Sequence, residues 1–262
     1  MATTQAVTSV EDIPRIPHAE AMELARAQND SFLAELKALD SEDWEKVTDC
    51  APWTVRDIAA HVLAWGEASL SPKEMAHQMS KGFRVRKDWP NVVDAQNAVQ
   101  VEERKDLTPA ELVSRLESTL PRFVKLRDRL SPVLKPIPTY NGLLGWISVG
   151  VVAETILTRD TFVHRIDIAE ATGKPMHLGP FEKRIVADCV KEWAKGSKAD
   201  AIVELSGPAG GSYRLGSGVR ATIKSSPTDL TRILSGRPRG GSVEVEGDAT
   251  AAERWISVGC RF

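Results

Sequence analysis

The first two-thirds of the chain place apolar residues at helical spacing, with charged residues between them. One of these stretches opens at Thr54 with Asp57 three residues later, and another opens the same way at Thr108, which is the pattern of a capped helix start. Four long helices with modest connections predict an up-and-down four-helix bundle. The stretches are residues 18–39, 54–70, 108–130 and 146–172.

The segments between these helices are less regular. Residues 72–89 are polar and predict a short helix followed by a loop, and residues 91–103 predict a further helix. Pro136, Pro138 and Gly142 mark a loop before the last long helix.

The pattern changes after Gly179, where alternating apolar residues predict strands at 201–205, 212–215, 220–224 and 242–245. Residues 181–194, 227–234 and 250–256 predict helices beside them. The prediction is therefore an α+β multidomain chain, with a helical bundle over residues 1–177 and a small α+β domain over residues 178–262. We expect no strand before residue 195 and a division near Gly179.

Composition narrows the range of partners. The chain has 262 residues, 42% of them hydrophobic and 27% charged, with a formal net charge of -2. It offers no basic surface for nucleic acid, no apolar run of the ~20 residues that a membrane span needs, and no signal peptide. Its 3 cysteines form no CxxC pair. We expect a cytoplasmic protein without nucleic acid or membrane partners.

The main candidate site is a pair of metal-ligand residues on the last bundle helix. His164 follows Asp160 by four residues, so both project from one helix face. His61, on the second helix, could supply a third ligand if the helices pack side by side. Three protein ligands and an open position are the layout of a catalytic zinc site, although nitrogen and carboxylate ligands also suit nickel, iron or manganese.

Each of these residues also has a simpler interpretation. Asp57 has a sufficient role at a helix start, and a single inward histidine such as His61 is more often a core residue than a ligand. Asp160 and His164 could equally be an exposed pair with arginines as surface neighbours, and spacing alone leaves both readings open. Asp167 could accept the second ring proton of a ligand histidine or bind an arginine.

Two further residues are weaker candidates. Cys50 lies just before a helix start, where a thiol can be acidified, but a buried and inert cysteine is the expected state. Arg237 lies in a turn of the second domain, where a guanidinium could recognise a substrate carboxylate. On spacing alone, Arg237 is a surface arginine.

Together these segments resemble the mycothiol-dependent maleylpyruvate isomerase family, within the DinB-like metal-binding bundle superfamily. The resemblance is carried by Cys50–His61 and Arg159–Gly173, and more weakly by Asp229–Arg237 with Val243–Asp248. It implies a DinB-like four-helix bundle followed by an SCP2-like domain.

The resemblance also implies a site and a chemistry. It implies that zinc, or another divalent metal, is bound by His61, Asp160 and His164, and that Arg237 is catalytic. The isomerase places glutamate where this chain has Asp160, which shortens one ligand arm by a methylene. The implied partners are mycothiol, a low-molecular-weight thiol that the metal converts to its thiolate, and a small electrophile bound in a cleft between the domains. Isomerisation and thiol transfer both stay open, as do a non-catalytic metal-binding protein and a metal-dependent hydrolase.

Overall fold

The computed structural model describes residues 6–141, 144–237 and 239–262. Its α-helices, in chain order, are α1 His18–Lys37, α2 Val55–Leu70, α3 Pro72–Val85, α4 Val92–Glu102, α5 Pro109–Asp128, α6 Val149–Val151, α7 Leu157–Thr172, α8 Pro180–Ser197, α9 Pro227–Leu234 and α10 Ala249–Ile256. Its strands are β1 Val7–Ser9, β2 Pro138–Asn141, β3 Gly145–Ser148, β4 Ala201–Leu205, β5 Gly211–Leu215, β6 Ala221–Ser225 and β7 Val243–Gly247.

The chain divides into two compact units, and the first of them, His18–Pro175, is helical. Helices α1 and α2 each pack against both α5 and α7, which gives the predicted four-helix bundle, and the α3–α4 pair packs against α2. Thr54 and Asp57 form the expected capping box at the start of α2, and Thr108 forms the equivalent box at α5.

The interior of the helical unit is apolar and continuous across the four long helices. Its buried side chains come from the inward faces that helical spacing predicts, since residues three and four apart share a face. They include Phe32 of α1, Ile58 and Leu63 of α2, Leu116 of α5 and Ile168 of α7.

The second unit joins Met176–Phe262 to residues 6–17 around one sheet. The strand order is β1-β5-β4-β6-β7, in which β1 runs parallel to β5 and β4 parallel to β6, while β4–β5 and β6–β7 are antiparallel. The predicted strands and helices of the C-terminal domain are confirmed. Trp193 of α8 is fully buried, and its indole Nε1 donates to the backbone oxygen of Trp255 at 2.7 Å.

The prediction that no strand precedes residue 195 is wrong, and residues 6–17, predicted to belong to the bundle, join the sheet unit instead. Strand β1 has three residues, too few to show alternation, and is held by backbone pairing to β5 far along the chain. The predicted loop contains the β2–β3 hairpin, whose register pairs Tyr140 with Trp146; Gly142 lies outside the described residues.

Two helix boundaries also differ from the prediction. The last bundle helix does not begin at Trp146, which belongs to β3, but at α6, and it passes through a π-helical turn, Val152–Ile156, into α7. Helix α3 is longer than the predicted short helix, because Ser71 caps it and Pro72 stands at its first position. None of the helices within the described ranges is long and apolar enough to cross a membrane.

Gly82 allows α3 and α4 to approach closely, since a Cβ there would lie 2.9 Å from the Cα of Gln96. We predict that Gly82→Ala lowers the free energy of unfolding by about 1–3 kcal/mol, because the helices must separate to admit the methyl group. Urea denaturation measures this change. Ser80→Ala, at an exposed position of the same helix, is the control and should change stability by less than about 0.5 kcal/mol. A Gly82→Ala protein as stable as the control would contradict the prediction.

Candidate metal centre

Helices α2 and α7 bring the three predicted ligand residues together. His61 projects from α2, and Asp160 and His164 project from one face of α7. The Nε2 atom of His164 lies 3.4 Å from Asp160 Oδ1, and the Nε2 atom of His61 lies 3.8 Å from Asp160 Oδ2. One ligand atom from each residue lies within 4.8 Å of the other two, so the three atoms could surround one cation.

The site is largely buried and favours positive charge. The side chains of His61 and His164 are each 4% exposed, and that of Asp160 is 31% exposed. Burial lowers the pKa of the His164 imidazole, but the carboxylate of Asp160, with that of Asp167, outweighs burial and raises this pKa to about 9. Burial likewise raises the pKa of Asp160, but His164 and His61 hold it well below its usual range. The carboxylates therefore favour one positive charge at this position, which a proton on His164 supplies or a bound cation would supply in its place.

Two glutamines hold His61 in one orientation. Gln78 of α3 donates from Nε2 to the backbone oxygen of Ala64 at 3.3 Å and to Glu74 Oε1 at 2.8 Å, so its Oε1 faces the amide of Gln100. Gln100 of α4 donates to that oxygen at 2.8 Å, and its own Oε1 lies 3.0 Å from His61 Nδ1. His61 therefore donates from Nδ1 and presents Nε2 as the ligand atom.

Asp167 orients the second histidine. His164 donates from Nδ1 to Asp167 Oδ2 at 3.0 Å, and the carboxylate side chain is fully buried. Asp167 thus takes the first of its two predicted roles. Arg165 is fully buried and pairs instead with Glu35 of α1, through Nε at 2.9 Å and Nη2 at 2.7 Å. The alternative of an exposed Asp160–His164 pair with surface arginines is therefore wrong.

Trp53 and Cys50 lie beside the histidines. The ring centroid of Trp53 is 4.9 Å from that of His61 and 6.3 Å from that of His164, so the indole covers both imidazoles from the amino end of α2. Cys50 is half-buried rather than buried, and its sulfur lies within 4.8 Å of ligand atoms of His164 and Asp167.

Two other sequence candidates, Asp57 and Arg237, have the following contacts. The Asp57 carboxylate accepts from the backbone N and the hydroxyl of Thr54, both at 2.9 Å, which is its capping role. Arg237 is a half-buried residue in the turn after α9 of the sheet unit, and its backbone N donates to the oxygen of Arg232. The sequence did not predict the roles of Gln78 and Gln100. A glutamine on an amphipathic helix looks the same in sequence whether its side chain is buried against a partner or exposed to solvent.

A histidine–carboxylate cluster inside a four-helix bundle defines a class of bundle proteins with candidate metal sites. A family model described as the mycothiol maleylpyruvate isomerase N-terminal domain matches residues 25–169, so the chain belongs to this family. The predicted family membership is therefore confirmed. A comparison with curated protein sequences gave no match.

Two solved structures are similar over most of the chain. One is a mycothiol-dependent maleylpyruvate isomerase, with a TM-score of 0.59 and 17% identity over 92% of this chain and 96% of that chain. The other is a histidine-to-alanine variant of a mycothiol-dependent maleylpyruvate isomerase, with a TM-score of 0.58 and 16% identity over 91% and 96% of the two chains. At these identities the likeness establishes the fold.

We predict that Gln100→Leu weakens zinc binding about 10–100-fold, because His61 then loses the acceptor that fixes its ligand nitrogen. Competition with a chromogenic chelator measures the affinity. Gln100→Glu is the matched comparison, since it keeps an acceptor for Nδ1 but loses the donor to Gln78 Oε1, and it should bind zinc more tightly than the leucine variant. Equal affinities for the leucine and glutamate variants would show that Gln100 does not orient His61.

Proposed function

We propose that this protein is a metal-dependent enzyme that uses a low-molecular-weight thiol, mycothiol by family, as the nucleophile toward an electrophilic small molecule. The observation that carries the proposal is the convergence of His61, Asp160 and His164, whose ligand atoms lie within 4.8 Å of one another. Membership of the mycothiol maleylpyruvate isomerase family supports the choice of thiol.

The residues fit a divalent cation such as zinc. Two imidazoles and one carboxylate are ligands that zinc accepts, and three protein ligands leave a position for a further group. Each imidazole has its second nitrogen bonded, His61 to Gln100 and His164 to Asp167, as ligand histidines usually do. A bound cation would favour the thiolate form of a bound thiol over its protonated form.

The thiolate sulfur would add to an activated carbon–carbon double bond. Rotation about the resulting single bond, followed by loss of the thiol, gives cis–trans isomerisation, and retention of the adduct gives thiol transfer. By resemblance, the isomerase has a glutamate at the position of Asp160, which is one methylene shorter. The length of this ligand arm is therefore a candidate determinant of whether isomerisation or thiol transfer prevails.

Metal-assisted hydrolysis is less well supported. It requires a general base beside the metal-bound water. Asp57 accepts hydrogen bonds at the start of α2, and Asp167 accepts the ring proton of His164, so both nearby carboxylates already have structural partners.

We predict that His164→Ala abolishes metal binding and turnover together, because the two remaining ligands hold zinc poorly. Asp160→Glu should keep the metal and shift products toward isomerisation, since it restores the longer arm. Metal analysis, and mass spectrometry of reactions with mycothiol and a panel of maleyl compounds, epoxides and quinones, measure both effects.

His77→Ala is the matched control, because the imidazole of His77 is exposed and bonds to Glu103, away from the three candidate ligands. It should keep both metal and turnover. Metal-loaded parent protein that forms no thiol adduct and isomerises nothing across the panel would refute the enzymatic proposal in favour of a non-catalytic metal-binding protein.

Arg237 is proposed as the catalytic residue that binds a substrate carboxylate. We predict that Arg237→Ala raises KM for a maleyl substrate about tenfold or more and leaves metal content unchanged, because a charge-assisted hydrogen bond is lost. Steady-state kinetics with a maleyl acid and its methyl ester test this, since the ester should be insensitive to the substitution. An unchanged KM for the acid would remove Arg237 from the site.

A further inference from the structure

The helical unit contains a large apolar cavity that the proposed chemistry has not used. Its volume is about 1240 Å³, above the ~300–1,000 Å³ of ordinary small-molecule pockets. Its walls are mostly aromatic and aliphatic, and they include Trp65, Met79, Phe83, Val92, Phe123 and Leu157. A small dicarboxylic acid would leave most of this volume unfilled and would gain little from these walls.

The cavity begins one helical turn from the candidate metal centre. On α2, Trp65 follows His61 by four residues, and on α7, Leu157 precedes Asp160 by three. Residues at these spacings are neighbours on one helix face. His61, Asp160 and His164 do not themselves line the cavity, so the cavity and the centre are neighbours along α2 and α7.

One polar group in the cavity wall points to a specific ligand feature. Gln96 of α4 lines the cavity and is 8% exposed, and its Nε2 donor has no hydrogen-bond partner among the described residues. A buried amide without a partner is costly. The Nε2 atom is enclosed by protein, so a turn of the Gln96 amide toward the cavity would bring it to a ligand oxygen. Gln96 precedes Gln100, the partner of His61, by one turn.

Unlike Gln96, the charged residues of the cavity wall are already hydrogen-bonded or solvated. Arg127 is buried and donates to the backbone oxygen of Ala153 and the hydroxyl of Thr158, both at 2.7 Å. Arg84 and Arg129 are exposed, where water solvates their guanidinium groups. The wall therefore favours a neutral acceptor on an apolar body over a charged group.

We propose that this cavity binds an apolar carbonyl compound, with its carbonyl oxygen at the Gln96 amide and its hydrocarbon body along Met79, Phe83 and Phe123. The inference rests on the proposed function, because it assigns this compound as the electrophile. In the α,β-unsaturated form, the thiolate sulfur bonds to the β carbon, the π electron pair moves to the α carbon, and that carbon takes up one proton. The adduct is a thioether, and no oxidant or reductant is required.

Binding can be measured without turnover by using the full-length, zinc-loaded protein and the fluorescent naphthyl ketone prodan. Unreactive methyl heptyl ketone should displace prodan at least fiftyfold more effectively than ethyl methyl ketone, because each buried methylene raises the binding affinity about fourfold. Maleate should displace none. Failure of prodan to bind, or equal potency of the two ketones, would overturn the proposal.

Variants at the cavity test its location. Met79 and Phe83 are each 56% exposed, so Met79→Asp and Phe83→Asp should fold normally but weaken binding of methyl heptyl ketone at least tenfold. Val133→Asp is the matched control, since Val133 is 78% exposed and does not line the cavity, and it should bind as the parent does. Equal effects of the cavity and control variants would overturn the assignment.

Gln96→Leu tests the carbonyl contact. The parent protein should prefer methyl heptyl ketone over the isosteric alkene, in which a CH2 group replaces the oxygen, by about three- to tenfold. Gln96→Leu should remove this preference and keep or raise the melting temperature, since a buried donor without a partner is lost. A preference that survives in the variant would refute the contact.

A reactive pair separates this inference from the proposed function. If ketones bind but mycothiol forms no adduct with the α,β-unsaturated ketone of the same length, the thiol chemistry fails and the cavity assignment stands. If adducts form as readily with methyl vinyl ketone as with the long ketone, and Met79→Asp has no effect on either, the cavity assignment fails and the thiol chemistry stands.

Discussion

The cost of burying Asp160, His61 and His164 inside an apolar bundle governs the organisation of the helical unit. An ionised carboxylate is stable there only with a compensating positive charge and hydrogen bonds. The proximity of His164 and His61 holds the pKa of Asp160 below its usual range despite its burial. The same arrangement that makes this carboxylate tolerable also makes the site attractive to a divalent cation.

The surrounding helices contribute by orienting these side chains. Helices α3 and α4 supply the glutamines that fix His61, and the close approach of the two helices at Gly82 places them side by side. Helix α1 is tied to α7 by the buried Arg165–Glu35 pair, one residue after His164. The positions of the histidines therefore depend on all the neighbouring helices, which is the usual basis of a precise metal site.

The surroundings of the site differ in polarity along α2 and α7. The side toward Gln100 and Asp167 is a hydrogen-bonded polar region, while Trp65 and Leu157, one turn away, open onto an apolar cavity. In the proposed reaction a bound cation would favour a thiolate at the first region, and a hydrophobic electrophile would partition into the second. This division is the physical basis of the proposal that a thiol-dependent reaction takes an apolar acceptor in this bundle.

Local sequence determined the features that depend on a few neighbouring residues. The caps at Thr54 and Thr108, the long bundle helices, the strands after residue 200 and the shared face of Asp160 and His164 all follow from short-range spacing. Tertiary structure alone decided the pairing of Val7–Ser9 with β5, the choice of Asp167 as partner of His164, and the roles of Gln78, Gln96 and Gln100. These depend on which residues distant in sequence become buried together, and burial determines whether a polar side chain must find a partner.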